Sequence, residues 1–488
     1  MPQIRSSLRF ILNDAPIELS AFSATGTLLD YLRLNQRLRG TKEGCAEGDC
    51  GACTVLIGRL AGDELVYESV NACIRFMGSL DGCHVVTVEH LADPDGALHP
   101  VQQAMVDAHG SQCGFCTPGI VMSLYGLWMQ KPNPTGGEIE TALQGNLCRC
   151  TGYAPIIRAG KAISTYGAVG QDRLVAERQR MIDRLKALKD GARVEIGAGK
   201  DRIIVPASLD DLAAIYVEEP TATIVAGSTD VGLWVTKFMR DIGPLVFVGG
   251  LDGLHGIEEA DAAVRLGAAV SYTDAHAVLL RHFPQLGDFW HRIGGAQVRN
   301  MGTVGGNIAN GSPIGDTPPP LMALGASITL RHGTVRREVK LEDYFVAYGK
   351  QDRAPGEFVE SVTIPLLPAG DQFAAYKITK RRDEDISALC GAFRVALDGL
   401  GNVNLLRIAF GGMAATPKRA KAVEAALIGK PWTAASIEAA IPAFAADFQP
   451  ISDMRASAEY RLLVAQNLLR RFHLETTGAD ERLERGAA

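Results

Sequence analysis

The chain has 488 residues, 47% of them hydrophobic and 21% charged, which is enough apolar material for about three domains of ordinary size. A formal net charge of −6 gives no electrostatic reason to expect nucleic acid or an acidic membrane surface as a partner. No leader segment is evident, and the longest apolar stretch, residues 119–129, falls short of the about 20 residues a membrane-spanning helix needs. A soluble cytoplasmic protein with no membrane partner is therefore expected, its ten cysteines reduced rather than paired in structural disulfides.

The segments LRFILND, CTVLIG and HVVTVEHL alternate apolar and polar residues as strands do, and TLLDYLRLN has the spacing of a helix. Among them lie Cys45, Cys50 and Cys53, with Cys73 further on: C-x4-C-x2-C and a distant fourth, the ligand spacing of a plant-type [2Fe–2S] centre. Gly44, Gly48 and Gly51 separate the thiols. A loop that wraps a cluster and aims N–H groups at sulfur needs the left-handed turns glycine permits. Buried free cysteines and a zinc site are the alternatives, although zinc sites favour paired CxxC or CxxH units.

Four short helices are expected next. PVQQAMVDAH starts at a proline and ends before Gly110, PGIVMSLYGLWM starts at Pro118, GEIETALQ stops at Gly145, and APIIRAGKAIS has Pro155 near its start. Cys113 and Cys116 precede one helix, and Cys148 and Cys150 precede another. Free N–H groups and the positive dipole end at a helix start stabilise an anionic thiolate cluster. A redox dithiol at CGFC leaves Cys148 and Cys150 unexplained and has no βαβ unit before it. A four-cysteine zinc site stays open, although two thiols one residue apart suit a zinc knuckle poorly.

CAEGDCGAC, QCGFCTPG and GNLCRCTGY resemble the two [2Fe–2S] sequences of the xanthine dehydrogenase/aldehyde oxidase, or molybdenum hydroxylase, family. The resemblance implies a β-grasp, ferredoxin-like [2Fe–2S] domain over residues 1–90 and a four-helix-bundle [2Fe–2S] domain over 91–168. The first would hold its cluster on Cys45, Cys50, Cys53 and Cys73, the second on Cys113, Cys116, Cys148 and Cys150. Gln112 resembles a family glutamine that contacts the molybdenum-pterin of a partner.

Residues 171–190 contain ten charged side chains and read as a solvated helix or linker, within a connection spanning 169–194. Beyond about residue 195 β-branched runs alternate with glycine loops. TIVAGSTDVG and MGTVGGNIANGSPIGD can cradle a pyrophosphate on exposed N–H groups, or can be ordinary turns. GxGxxG is absent, and Gly349-Lys350 is followed by Gln351, so neither a Rossmann fingerprint nor a P-loop is present. Cys83 and Cys390 read as small packed hydrophobes, and Trp128 and Trp234 as members of apolar helix faces.

IVAGSTDV and TVGGN…SPIGD resemble the two FAD loops of the family's flavin domain. The resemblance implies that Ile224, Val225, Ala226, Gly227, Ser228, Thr229, Asp230 and Val231, with Thr303, Val304, Gly305, Gly306 and Asn307, hold the dinucleotide phosphates. It also implies contacts from Asp316 at the adenosine end and from Val359 and Lys377, with Ile293 near the flavin ring where some relatives carry an aromatic residue. KRRDEDIS resembles a segment near the flavin, or is a solvated charge run. The implied architecture is α+β and multidomain, with a two-part, non-Rossmann FAD-binding domain over 195–372 and a C-terminal α/β flavoprotein domain over 373–488.

Two one-electron clusters and a flavin that exchanges a hydride make a wire ending in a converter. By resemblance the chain is the electron-transfer subunit of an NAD-dependent purine hydroxylase. Electrons from a molybdenum-pterin on a large partner subunit would reach the second cluster, the first cluster, FAD and then NAD+, as hypoxanthine and xanthine become urate. The assembly would be an (αβ)2 heterotetramer. Clusters fused ahead of the flavin favour the xanthine-oxidising branch. Aldehyde- or N-heterocycle-oxidising relatives are the alternative within the family, and a zinc-stabilised FAD-binding scaffold is the alternative outside it.

Overall fold

A computed structural model describes residues 2–93 and 95–478. The chain divides into two bodies. The first runs to Leu254 and adds Ser271–Asp274 and Gly294–Thr303; the second comprises His255–Val270, Ala275–Ile293 and the chain from Val304 onward.

In the first body the alternating segments form a five-stranded sheet in the order Ala15–Leu19, Leu8–Leu12, His84–Val86, Thr54–Ala61, Glu64–Asn71. Leu8–Leu12 and His84–Val86 pair in parallel and the other neighbours are antiparallel, as in a β-grasp. The expected helix begins at Leu28, where Thr27 caps it by accepting from Asp30 N–H, and continues as a π turn over Tyr31–Asn35. Leu28, Leu29 and Leu32 pack from it into a core with Phe10, Val55 and Val85.

The four expected helices are Pro100–Asp107, Thr117–Gln130, Gly136–Ala142 and Ala154–Ala162. Three have proline at the start, where no N–H is needed, and the other is closed by a Thr135–Glu138 capping box. Ile120, Leu124, Trp128, Ile139 and Ile156 share one core with Leu56 and Tyr67 of the sheet. The charged stretch after them is not a solvated tether. The helix Arg178–Leu188 inserts Met181, Ile182 and Leu185 into the same core, so its charges occupy only the outer face of an amphipathic helix. Asp172 fastens it: His99 Nε2 lies 2.9 Å from one carboxylate oxygen, and Tyr125 OH donates to both oxygens at 2.9 and 3.0 Å.

A second sheet of this body has the order Ile4–Arg5, Arg193–Ile196, Ile203–Val205, Leu245–Phe247, Thr223–Val225. The two-residue strand near the N-terminus is too short for any periodicity to reveal. Trp234 departs from its expected place on an apolar face. It is half-buried, donates to Asp230 Oδ2 at 2.9 Å and carries the Arg240 guanidinium 5.7 Å over its ring.

The second body holds an antiparallel five-stranded sheet ordered Ile257–Glu259, Ala263–Gly267, Phe358–Pro365, Ser327–His332, Val335–Lys340. It also holds a four-stranded sheet of Gln372–Ile378, Leu389–Leu397, Val403–Gly411 and Lys418–Arg419. The long helix Ala458–Thr476 packs Leu468, Leu469 and Phe472 against Phe393 and Phe410 of that sheet. Cys390 is buried in a strand and Cys83 just before one, both as free thiols. The whole is a multidomain α+β chain. Residues 479–488, the end of the expected C-terminal domain, lie outside the described residues.

His84 gives the β-grasp a pH dependence. It is completely buried. Asn13 O, 2.7 Å from Nε2, can only accept, so Nε2 carries a proton; with burial keeping the ring neutral, Nδ1 accepts from Tyr67 OH at 2.8 Å. Burial lowers its pKa from 6.5 to about 4. The unfolded chain then binds the extra proton first, and stability is lost as pH falls from 6.5 towards 4. We expect this loss to reach about 3 kcal/mol, and the denaturation midpoint of His84→Gln to be flatter over that window. Identical pH profiles for the two proteins would overturn the assignment.

Candidate functional site

Cys45 and Cys50 are half-buried, and Cys53 and Cys73 buried. Three residues in this loop take left-handed backbone, Ala46 (φ 56°), Gly48 (φ 76°) and Gly51 (φ 69°), so it curls tightly. Glu47 N–H and Cys50 N–H both donate to Cys45 Sγ at 3.4 Å. Cys45 meets Cys50 and Cys73, and Cys53 meets Cys73. Hydrogen bonds from Cys50 and Cys73 hold the Cys45 thiol far below its ordinary range, and the same contacts push Cys50 and Cys73 up.

In the second group Cys113 and Cys150 are exposed, Cys116 is half-buried and Cys148 buried. Cys113 meets Cys150, and Cys116 meets Cys148. Burial, with Cys148 beside it, pushes Cys116 up to about 12. Cys148 Sγ lies 3.1 Å from Thr151 Oγ1, and Cys148 N–H donates to Tyr153 OH at 2.9 Å. Cys116 occupies the position just before the helix Thr117–Gln130. Among the described residues no three His, Cys, Asp or Glu side chains converge as they would around a single ion. The second quartet meets two by two and the first as a chain through Cys45 and Cys73; either grouping suits a [2Fe–2S] centre, where four cysteines are shared between two irons. Gln112 is exposed beside Cys113, with Phe115 and Leu147 also exposed on these loops.

The two cysteine loops touch through main chain. Leu147 N–H donates to Cys50 O at 2.9 Å, and Asn146 Nδ2 donates to Gly51 O at 3.2 Å. A Cβ on Gly51 would stand 2.0 Å from Gly145 O, and one on Gly119 2.1 Å from Gly51 O. Asn146, Thr151 and Tyr153 are thus part of the arrangement; all three lie within GNLCRCTGY, in which only the cysteines are read as ligands.

Of the expected flavin-binding residues, Ile224, Val225, Ala226, Gly227, Ser228, Thr229, Asp230, Val231 and Thr303 lie in the first body and the remainder in the second. The strand Thr223–Val225 delivers the first glycine loop. Gly227 rests on the main chain of Met301, where a Cβ would meet Met301 O at 1.6 Å, and Ser228 has φ 62°. Among the described residues, the N–H groups of Gly227, Ser228 and Thr229 have no hydrogen-bond partner. They are available to an anion.

In the second body the helix Val304–Asn310 carries Gly305, Gly306 and Asn307. Packing requires glycine at 305, since a Cβ there would come within 2.5 Å of Ala268 Cα. Asn307 Oδ1 is buried and lacks a partner among the described residues. Asp316 and Lys377 form a buried ion pair at 2.6 Å, and the other Asp316 oxygen accepts from Ser387 Oγ at 2.5 Å. Both carboxylate oxygens are therefore engaged by protein. Ile293 and Val359 are buried. Arg292, which drew no attention in the sequence, donates to Lys377 O at 2.9 Å, Thr379 Oγ1 at 2.9 Å and Arg382 O at 3.0 Å. It thereby anchors the KRRDEDIS segment.

Four family models match in succession: a 2Fe-2S iron-sulfur cluster binding domain over residues 11–77, a [2Fe-2S] binding domain over 87–161, the FAD binding domain in molybdopterin dehydrogenase over 193–367, and the CO dehydrogenase flavoprotein C-terminal domain over 374–476. Xanthine dehydrogenase of Emericella nidulans is 30% identical across 96% of this chain and 38% of its own length. Xanthine dehydrogenase/oxidase of Rattus norvegicus is 32% identical across 95% of this chain and 38% of its own. The chain thus spans little more than a third of these relatives. A solved carbon monoxide dehydrogenase from Hydrogenophaga pseudoflava superposes with TM-score 0.52 and 28% identity over 55% of this chain and 93% of that one. Quinoline 2-oxidoreductase from Pseudomonas putida 86 does so with TM-score 0.51 and 25% identity over 56% and 96%.

The contact between the cysteine loops is tested by glycine. Gly51→Ala adds a Cβ into Gly145 O at a left-handed position, and should destabilise the first body by more than about 3 kcal/mol. Gly62→Ala is also left-handed (φ 61°) but meets nothing within 4 Å, and should cost about 1 kcal/mol. Equal losses on chemical denaturation would show that backbone conformation, not loop contact, sets the requirement at Gly51.

Proposed function

Because the chain belongs to the molybdenum hydroxylase family and carries its iron–sulfur and FAD-binding domains, we propose that it is the electron-transfer subunit of an NAD-dependent xanthine dehydrogenase. In this reading it delivers electrons from a molybdenum-pterin on a large partner subunit, by way of two [2Fe–2S] centres and FAD, to NAD+. The observation that carries the reading is the pair of cysteine quartets, each drawn together in space and joined loop to loop through main chain. The choice of xanthine is supported by the extent of similarity. Xanthine dehydrogenases align across 95–96% of the chain, cluster and flavin segments together, whereas the matched carbon monoxide and quinoline chains are shorter, spanned to 93–96% of their own length while covering 55–56% of this one. The N-heterocycle-oxidising alternative rests on the latter likeness. The purine site belongs to the partner in this proposal, in an (αβ)2 assembly, with Gln112 reaching the pterin from the exposed cysteine loop.

When bound, the clusters carry electrons singly and the flavin exchanges them in pairs with NAD+. The chain's own residues provide the setting. Cys45, Cys50, Cys53 and Cys73 would hold one cluster, and Cys113, Cys116, Cys148 and Cys150 the other. N–H donation from Glu47 and Cys50 to Cys45, and the Thr151 hydroxyl at Cys148, stabilise negative charge on sulfur. The start of the helix at Thr117 adds its dipole beside Cys116. Burial of Cys53 and Cys73 keeps water from one side of their cluster. On the first body, the open N–H groups of Gly227, Ser228 and Thr229 fit a phosphate; on the second, Asn307 Oδ1 offers an acceptor for a cofactor donor. The Asp316–Lys377 pair and Arg292 fix the strand and loop around positions 377–387.

The purified chain, reconstituted with iron, sulfide and FAD, is expected to hold about four irons, to reduce dyes with NADH, and to leave xanthine untouched. Cys148→Ala should halve the iron while NADH-to-dye activity largely survives. Retention of both cluster signals in electron paramagnetic resonance (EPR) spectra of Cys148→Ala would overturn its ligand role, and zinc in place of iron would favour the scaffold reading. Asn307→Leu removes the unpartnered oxygen at similar volume, and should lower FAD content with iron unchanged. Full flavin occupancy in that variant would remove Asn307 from the site.

A further inference from the structure

Gln297 lies on the short helix Ala296–Met301 of the first body and is completely buried. Its Nε2 stands 3.1 Å from Thr54 Oγ1, 3.1 Å from Ser123 Oγ and 2.8 Å from Asn146 Oδ1. The partners fix the direction of these bonds. Thr54 donates its hydroxyl proton to Gly51 O at 2.7 Å and Ser123 donates its own to Asn146 Oδ1 at 2.7 Å, so all three oxygens face Gln297 as acceptors and share the two protons of its amide. The amide's own Oε1 is left buried without a partner among the described residues, pressed against Gly145, where a Cβ would come within 2.2 Å. A buried, unpaired amide oxygen is unfavourable, so hydrogen bonding alone does not account for glutamine here.

The placement of its partners does. Thr54 follows Cys53, Asn146 stands two residues before Cys148, and Ser123 points inward from the helix that begins after Cys116. The amide therefore grips both cysteine loops at once, from a third segment. Between those loops runs the main-chain bridge from Leu147 N–H to Cys50 O at 2.9 Å, beside the bond from Asn146 Nδ2 to Gly51 O. Cys50 belongs to one quartet, and Leu147 is covalently joined to Cys148 of the other. At the far end of the same short helix, Met301 O supports Gly227 of the first glycine loop.

We propose that Gln297 is a positioning residue for electron transfer between the two cluster sites. Its amide holds residues 50–54 against residues 145–148, so that the Cys50–Leu147 bridge stays closed and the two quartets keep a fixed separation. This rests on the iron–sulfur reading above.

The test uses the full chain loaded with iron, sulfide and FAD. Gln297→Met conserves volume and removes the donors. Ser123→Ala removes one acceptor away from the cysteines. Both should take up iron and FAD as the unsubstituted chain does. Gln297→Met should weaken the EPR spin–spin interaction between the two reduced clusters, and should slow electron redistribution between them after a rapid reducing pulse, on the order of tenfold for a small displacement. Ser123→Ala should move both readouts the same way by less, and the double variant should be no worse than Gln297→Met. A residue that only fills space would lower the melting temperature and leave the magnetic interaction intact. Unchanged interaction and rate in Gln297→Met overturns the proposal. Where that variant fails to fold, the same result in Ser123→Ala overturns it. Failure of the unsubstituted chain to take up iron overturns the iron–sulfur reading instead.

Discussion

The first body is organised around one close approach of main chain to main chain. Residues 50–54 and 145–148 are brought so near that Gly51 leaves no room for a side chain, while Gln297 fills the space a side chain on Gly145 would need. Leu147 N–H and Asn146 Nδ2 then find carbonyl acceptors on the opposite loop. Such a contact has little tolerance, because interiors are packed to crystal density and backbone cannot move aside as a flexible side chain can. The β-grasp sheet and the helix Thr117–Gln130 are placed to serve it: Thr54 opens a central strand, and Gly119 sits one turn into the helix against Gly51 O. The two quartets are therefore held at a separation set by the fold, which an electron path between them requires.

Polar burial in the molecule follows that need. Asn146, Ser123, Thr54 and Gln297 form a network without water access between the cysteine loops, and Asp172 ties the following helix to His99 and Tyr125. In the second body a buried Asp316–Lys377 pair with Ser387, and Arg292 reaching three acceptors, fasten the charged segment after Lys377. Buried ionic groups are weak contributors to net stability but strong determinants of a single arrangement when every partner is satisfied. Here they stand beside residues whose spacing points to cofactors.

Much of this was legible in the sequence. Eight cysteines in two spacings, four short helices opened by proline or a capping box, and strands that alternate apolar and polar residues are local signals, fixed by a few neighbouring residues. Other features were not. Helix periodicity places Trp234 on an apolar face but does not distinguish a face that packs from one covered by Arg240. The charged 171–190 segment was read as solvated because its composition hides three apolar residues at helical spacing, Met181, Ile182 and Leu185. Gly305 resembles a ligand-binding glycine, but that Ala268 also excludes a side chain there is a long-range fact that spacing does not show.

The sequence by itself determined the cysteine quartets, the order of iron–sulfur and flavin segments, the helix starts and the family. These depend on residue type and short-range spacing, which a linear text preserves. Only the tertiary structure decided which thiols meet, that Asp316 is committed to Lys377, that a two-residue strand near the N-terminus completes a sheet with Arg193–Ile196, and that Gln297 reaches both cysteine loops from 151 residues beyond Asn146. Those facts are long-range contacts. Each arises because burying apolar surface brings remote segments together, and the polar groups carried inside must then find whichever partners that packing leaves within reach.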